Sequence, residues 1–176
     1  MTGPARVAVL AVGNRFAGDD GVAFAVLEAA RADLPEEVVV HELDGEAARI
    51  LDAWEGCRAA VVVDAARSGS PTGTVHRVVV DAPDPSLAWN GPGPRVVGLN
   101  LPAHASSHGA GVAEALALGA VLGRRPQEVV LVGIEGARFG PGDGLSHEVV
   151  HAVPAATRLL VAEAQRLAAH RDDRVI

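Results

Sequence analysis

Two adjacent carboxylates, Asp19 and Asp20, lie near the start of the chain in a glycine-containing turn, Gly13-Asn14-Arg15-Phe16-Ala17-Gly18-Asp19-Asp20-Gly21. The turn follows an apolar segment at residues 7–12 and precedes a predicted helix. Open α/β sheets bind their ligands at the carboxyl ends of strands, which is where this turn would lie. Phosphate-binding loops use glycines and a cation at that place. Carboxylates there instead predict a metal ion or a cationic group.

Two further polar residues are predicted at the same edge of the sheet. Asp64 follows the apolar run Val61-Val62-Val63, and His108 stands at the start of a predicted helix, after a segment rich in proline and glycine at residues 81–102. Together with Asp20 they make a set of two carboxylates and an imidazole, which suits a borderline divalent ion such as nickel, zinc or manganese. Three protein ligands would leave coordination positions open, as a catalytic or exchangeable site requires.

Each of these residues also has a purely structural interpretation. Asp19 or Asp20 could cap the first helix, because carboxylates complement the positive end of the helix dipole. Asp64 could be a polar residue that ends a strand, and His108 could be a structural or solvent-exposed histidine. Three such residues at one predicted edge favour a site over three separate coincidences, but they leave the structural alternative open.

The elements that would position these residues alternate along the chain. We predict strands at residues 6–12, 37–42, 59–63, 74–80 and 128–134, and helices at 21–32, 46–54, 107–122 and 146–170. This order predicts a three-layer α/β/α sandwich around a mostly parallel sheet, in one domain spanning residues 1–176. The fourth strand is expected to be antiparallel, because no helix separates it from the third.

Composition excludes several classes of function. The formal net charge of −7 excludes the basic surface of a nucleic-acid-binding protein and disfavours an anionic membrane. One cysteine, Cys57, excludes an intrachain disulfide and a cysteine-cluster metal site. With no signal-peptide pattern and no apolar run long enough to span a membrane, a cytoplasmic location is expected.

Other catalytic motifs are missing from the sequence. It contains no G-x-S-x-G nucleophile elbow and no H-E-x-x-H zinc motif. His147 and His151 are four residues apart in the last predicted helix, but the glutamate of the zinc motif is lacking. We interpret this pair as lining one face of the helix.

Four motifs together resemble the hydrogenase maturation proteases, the nickel-dependent C-terminal endopeptidases that process [NiFe]-hydrogenase large subunits. In chain order they are Gly13-Asn14 with Asp19-Asp20-Gly21, Val62-Val63-Asp64-Ala65, Ser106-Ser107-His108-Gly109 and Val132-Gly133-Ile134-Glu135. The resemblance covers roughly residues 6 to 165. It implies a twisted, mostly parallel sheet of five strands between helix layers.

The resemblance also implies a site and a substrate. Asp20, Asp64 and His108 match the residues of the family that contact the metal and carry the reaction. The implied substrate is a [NiFe]-hydrogenase large-subunit precursor that already carries Ni²⁺, from which a C-terminal extension is removed. Nickel would then belong to the substrate, the isolated protein would hold it weakly, and the enzyme would be a monomer that binds neither nucleic acid nor membrane. We hypothesise metal-assisted hydrolysis, since no serine or cysteine nucleophile is implied.

Three other functions remain open at this stage. The chain could be a nickel-sensing binding module or chaperone that keeps the site without proteolysis. It could be another hydrolase or a nucleoside-processing enzyme of the same fold, although the absence of tyrosine argues against an aromatic stacking pocket. It could be a plain scaffold protein, which would leave the set of Asp20, Asp64 and His108 unexplained.

Overall fold

The computed structural model describes residues 6–80, 109–142 and 144–170. The strands are β1 Arg6–Val12, β2 Val38–Leu43, β3 Cys57–Ala66, β4 Val75–Val80 and β5 Glu128–Glu135. The helices are α1 Val22–Ala30, α2 Ala47–Ala53, α3 Gly109–Leu122 and α4 His147–Ala169, with short 3-10 turns at Gly18–Gly21 and Arg31–Asp33. The predicted order of elements is confirmed.

The five strands form one sheet in the order β2-β1-β3-β5-β4. All neighbours are parallel except β4, which runs antiparallel to β5 as its short connection to β3 predicts. Val9 of β1 is paired with Val40 on one side and Val61 on the other, so the central strands are in close register. The carboxyl ends of β1, β2, β3 and β5 therefore share one side of the sheet, which we call the carboxyl edge.

Helices cover both faces of the sheet and bury two cores. Val7 and Val9 of β1 pack with residues of α1 and α4, whereas Ala8 and Leu10 pack with residues of α2 and α3. Because successive side chains of a strand point to opposite faces, a fully apolar strand supplies both cores at once. The three-layer α/β/α sandwich around a mostly parallel, five-stranded sheet is confirmed.

The structure differs from the sequence prediction in the length of β3. The prediction ended this strand at residue 63, but β3 continues to Ala66 and Asp64 lies inside it, opposite Gly133 of β5. Pairing with Ile134 and Glu135 holds Ala65 and Ala66 in the strand, although alanine has little strand propensity of its own. Asp64 is thus positioned by a paired backbone rather than by a turn.

Some predictions fall on residues that are not among those described. These are the segment 81–102, the first two residues of the predicted third helix, Ser107 and His108, and the end of the chain. Within the described part of the chain, no helix is both long enough and apolar enough to cross a membrane.

Candidate active site at the carboxyl edge

Asp20 is positioned by a tight approach between two turns. It lies in the 3-10 turn Gly18–Gly21 and is only 3% exposed. Gly13, directly after β1, has a φ of +151°, and a Cβ atom there would lie 2.1 Å from the backbone oxygen of Asp20. Only glycine permits this contact. The Gly13-Asn14 motif therefore brings the acidic turn against the end of β1.

Asp64 faces this turn from β3. The residue is half-buried, but its Oδ1 atom is fully buried and has no hydrogen-bond partner in the described part of the chain. Burial raises the pKa of Asp64 well above its usual value, the negative charge of Asp20 raises it further, and a hydrogen bond from the backbone N–H of Ala65 opposes the rise. The two carboxylates are therefore close enough to repel each other.

This arrangement fits a cation at the carboxyl edge. A buried carboxylate oxygen without a donor is costly, and a bound positive charge would remove both that cost and the repulsion between Asp64 and Asp20. Carboxylate oxygens can bind divalent ions of several kinds. Among residues 6–80, 109–142 and 144–170, however, no three His, Cys, Asp or Glu side chains form a metal-binding group. A third ligand would have to come from another residue or from a bound substrate.

The predicted third ligand, His108, lies outside the described residues, so its place at the site stays a prediction. The helix that follows it does begin near the carboxyl edge. Gly111, in the first turn of α3, packs on Gly45 just after the end of β2, and a Cβ atom at Gly111 would lie 1.7 Å from the Gly45 backbone oxygen. The glycine thus fixes the first turn of α3 against the loop that follows β2.

Asp19, the neighbour of Asp20 in the acidic turn, has a structural function. Its carboxylate accepts hydrogen bonds from the backbone N–H groups of Ala137, Arg138 and Ser146 at 2.8, 2.9 and 2.6 Å, and from the Ser146 hydroxyl at 3.0 Å. Burial alone would raise the pKa of Asp19, but these donors lower it below its usual value. Asp19 therefore joins the acidic turn to the loop after β5 and to the start of α4.

This result corrects the helix-cap interpretation of the Asp19-Asp20 pair for Asp19. The N-cap residue of α1 is Gly21, and α1 has no side-chain cap. The carboxylate of Asp19 instead serves the N-terminal end of α4, where a negative charge is favourable. The sequence left open whether either acid would be structural, and it did not indicate that the helix concerned would be α4.

Glu135 is a further buried carboxylate that the sequence analysis mentioned only as part of a motif. It is 3% exposed and accepts hydrogen bonds from the Ser68 hydroxyl at 2.8 Å and the Gly69 backbone N–H at 2.9 Å, with His76 Nε2 at 3.3 Å. Burial would raise the pKa of Glu135, yet the donors at Ser68, Gly69 and His76 lower it. Glu135 thereby holds the turn that follows β3 against the end of β5. A lone acid ending an apolar strand was the only signal in the sequence.

Phe16 is an exposed aromatic residue in the loop that leads to Asp20. Its side chain is 80% exposed, and its backbone oxygen accepts a hydrogen bond from the N–H of Gly142. Nearby in sequence, the guanidinium of Arg15 stacks over the ring of Phe24 and binds Glu42. The loop is therefore fixed by its neighbours while it presents one apolar ring to solvent.

The fold and the site together define an α/β/α protein with an acidic edge at the carboxyl ends of its parallel strands. Comparison in sequence adds one relative: the chain is 30% identical over 137 residues to the hydrogenase expression/formation protein HupD of Thiocapsa roseopersicina. The match covers 77% of this chain and 56% of that protein, so the chain spans little more than half of its curated relative. No family model matches the chain.

Comparison in structure finds hydrogenase maturation peptidases with the same fold. The hydrogenase maturating endopeptidase HybD of Escherichia coli matches with a TM-score of 0.70 and 23% identity, over 92% of this chain and 93% of that one. The hydrogenase 2 maturation peptidase of a Thaumarchaeota archaeon matches with a TM-score of 0.61 and 26% identity, over 92% and 99%. The resemblance to the hydrogenase maturation proteases that the four motifs predict is thus confirmed.

Proposed function

We propose that this protein is a peptidase that removes the C-terminal extension of a nickel-loaded [NiFe]-hydrogenase large-subunit precursor. The observation that carries the proposal is the buried Oδ1 of Asp64, which faces Asp20 at the carboxyl edge and has no hydrogen-bond partner among the described residues. The names of the similar proteins, a HupD formation protein and two maturation peptidases, support this substrate class. Soluble, membrane-independent action in the cytoplasm as a monomer is part of the same proposal.

In this proposal Asp20 and Asp64 hold the metal-bearing segment of the precursor. Their carboxylates, together with the imidazole of His108, would complete the coordination of a nickel ion that the substrate brings. Nickel at this place would act as a Lewis acid toward the neighbouring peptide bond. Because part of the coordination belongs to the precursor, the isolated protein would bind nickel weakly at this edge.

The remaining residues of the edge orient the two acids. Asp19 fixes the 3-10 turn that carries Asp20, because it ties that turn to residues 137, 138 and 146. The β3–β5 pairing fixes Asp64 opposite Gly133. We further propose that Phe16 contacts an apolar part of the precursor, since it is a large exposed side chain in the same loop as Asp20. The segment 81–102 is proposed to select which large subunit is processed.

The test is a cleavage assay with a nickel-loaded large-subunit precursor from the same genome, followed by intact mass. We expect loss of one defined C-terminal peptide, and no loss from precursor without nickel. Asp20→Asn, Asp64→Asn and His108→Ala should each slow cleavage by about 100-fold or more. Asp33→Asn is the matched control, because Asp33 is an exposed acid in the other 3-10 turn. Normal cleavage by His108→Ala would contradict the assignment of His108 to the active site.

The second candidate is a nickel-sensing module that binds the precursor without cutting it. It uses the same carboxylates, so the same assay separates it from the peptidase. Nickel-dependent binding with an unchanged precursor mass would favour the module. Absence of any interaction would mean that the fold serves a different substrate.

A further inference from the structure

The two histidines of α4 lie closer together than two residues on the same face of a helix need to be. His147 and His151 are both exposed, yet their Nε2 atoms lie only 3.0 Å apart and their rings meet at 67°. Residues i and i+4 are neighbours on one face of a helix, so both rings extend from the same side of the first two turns. The two Nε2 atoms are thereby presented side by side to solvent.

The separation of the nitrogens matches that of two ligands on one ion. Metal–nitrogen bonds of 2.0–2.1 Å that meet at 90–109° place the two nitrogens about 2.8–3.4 Å apart. The observed 3.0 Å falls within this range. A hydrogen bond between two exposed imidazoles also gives this distance, but it would gain little against the hydrogen bonds of each ring with water.

We propose that His147 and His151 form a bidentate, exchangeable site for a first-row divalent transition metal ion. Neutral imidazole suits zinc, nickel and copper, and it does not suit magnesium or calcium. No third His, Cys, Asp or Glu completes the pair in the described part of the chain, so water or an incoming ligand fills the other positions. Glu148 lies in the same first helical turn, and its negative charge offsets the unfavourable dipole of the helix N-terminus.

This site is separate from the carboxyl-edge carboxylates and does not depend on the proposed peptidase activity. The two regions are nevertheless linked through the backbone. Ser146, directly before His147, donates two hydrogen bonds to Asp19, the neighbour of Asp20 in sequence. A metal ion on the pair would cross-link the first two turns of α4 and stabilise the helix end that holds Asp19.

The direct test is a titration of the full-length, metal-free protein with Zn²⁺, followed by NMR of the histidine ring resonances. We expect the His147 and His151 resonances to shift together and to saturate at one equivalent, while the His170 resonances stay unchanged. The melting temperature should rise with the same concentration dependence. A parallel calorimetric titration with Ni²⁺ should give binding at the same stoichiometry.

Composition-matched variants decide whether the two rings act together. In His151→Gln/Ala155→His the chain keeps seven histidines, but the two rings on α4 are eight residues and about 12 Å apart. This variant and His147→Gln should both weaken Zn²⁺ binding by about tenfold or more, because a single imidazole lacks the second attachment. Asp64→Asn and His170→Gln should leave the Zn²⁺ affinity of the histidine pair unchanged. Unchanged affinity in His151→Gln/Ala155→His, or no shift of either ring at millimolar Zn²⁺, would overturn the proposal.

Discussion

At the scale of single residues, Asp19 and Asp64 at the carboxyl edge have opposite environments. Asp19 is completely buried and accepts four hydrogen bonds, so its charge is needed by the fold. Asp64, across the edge, has a buried oxygen without a donor among the described residues, so its negative charge destabilises the folded protein. Opposite consequences for stability follow from these two environments.

Replacing Asp19 with asparagine should destabilise the protein. The amide has only one acceptor oxygen, and its NH₂ group would face donors at Ala137 and Arg138. Hydrogen bonds to a charged group contribute about 1.5–3 kcal/mol, so we expect a loss of about 3 kcal/mol in urea unfolding at pH 7. Asp33→Asn, an exposed substitution of the same type, should change the free energy by less than about 0.5 kcal/mol. Equal stabilities of the two variants would contradict the structural function of Asp19.

Replacing Asp64 with asparagine should have the opposite effect. The substitution removes a buried negative charge and its repulsion from Asp20, while the side-chain shape is kept. We expect the free protein to gain about 1 kcal/mol and its melting temperature to rise by about 2–4 °C at pH 7.5. The same variant should lose precursor cleavage. A lower melting temperature would mean that the Asp64 carboxylate has a stabilising partner in the folded state.

At the scale of elements, an ion-pair network fixes α4 across the far strands of the sheet. Glu163 of α4 binds Arg77 of β4 at 2.6 Å and Arg166 at 2.8 Å, and Arg166 also binds Glu128 of β5 at 2.6 Å. The hydrogen bond from Arg77 lowers the pKa of Glu163, against the effect of burial, and Arg166 lowers it further. Glu163 therefore holds α4 against β4, and Arg166 holds the same helix against β5.

The Glu163 network predicts a pH-dependent stability. Because the pKa of Glu163 is lower in the folded state, its contribution is complete above the usual value of 4.5 and disappears as the pH falls through the folded-state pKa. Glu163→Gln should therefore be less stable by about 2 kcal/mol at pH 7, and the difference from the unmodified protein should shrink below about pH 4.5. Urea unfolding of both proteins between these pH values measures the difference in the free energy of unfolding. Glu28→Gln, in an exposed pair with Arg31, is the control and should have little effect at any pH.

Most elements could be predicted from the sequence, and the exceptions have physical causes. Buried parallel strands are nearly continuous apolar runs, so β1 was predicted with its exact bounds and β5 to within one residue. The extension of β3 past Asp64 could not be predicted, because pairing with β5 overrides the weak local preference of Ala65-Ala66. The partners of Asp19 lie 118–127 residues away, so no local pattern could predict its structural function.

At the scale of the whole molecule, two cores share the same strands. One core contains Leu160 of α4 and the other contains Trp54 beside α2, and both are completely buried. β1 and β3 contribute alternate side chains to each core. Loss of packing on one face would expose the backbone pairing on which the other face depends. The two layers should therefore unfold as one cooperative unit.

A substitution on one face should consequently be sensed by a probe on the other. The chain has two tryptophans, so Trp89→Phe leaves Trp54 as the only one. In that background Leu160→Ala should cost about 3 kcal/mol, because it leaves a cavity in the opposite core. The urea midpoint from Trp54 fluorescence should fall by the same amount as that from far-ultraviolet circular dichroism. Val150→Ala, at a half-exposed position of the same helix, should move neither midpoint. If the Trp54 transition stayed in place while the circular dichroism transition moved, the two faces would be independent, and the acidic edge between them could not be held rigid by both.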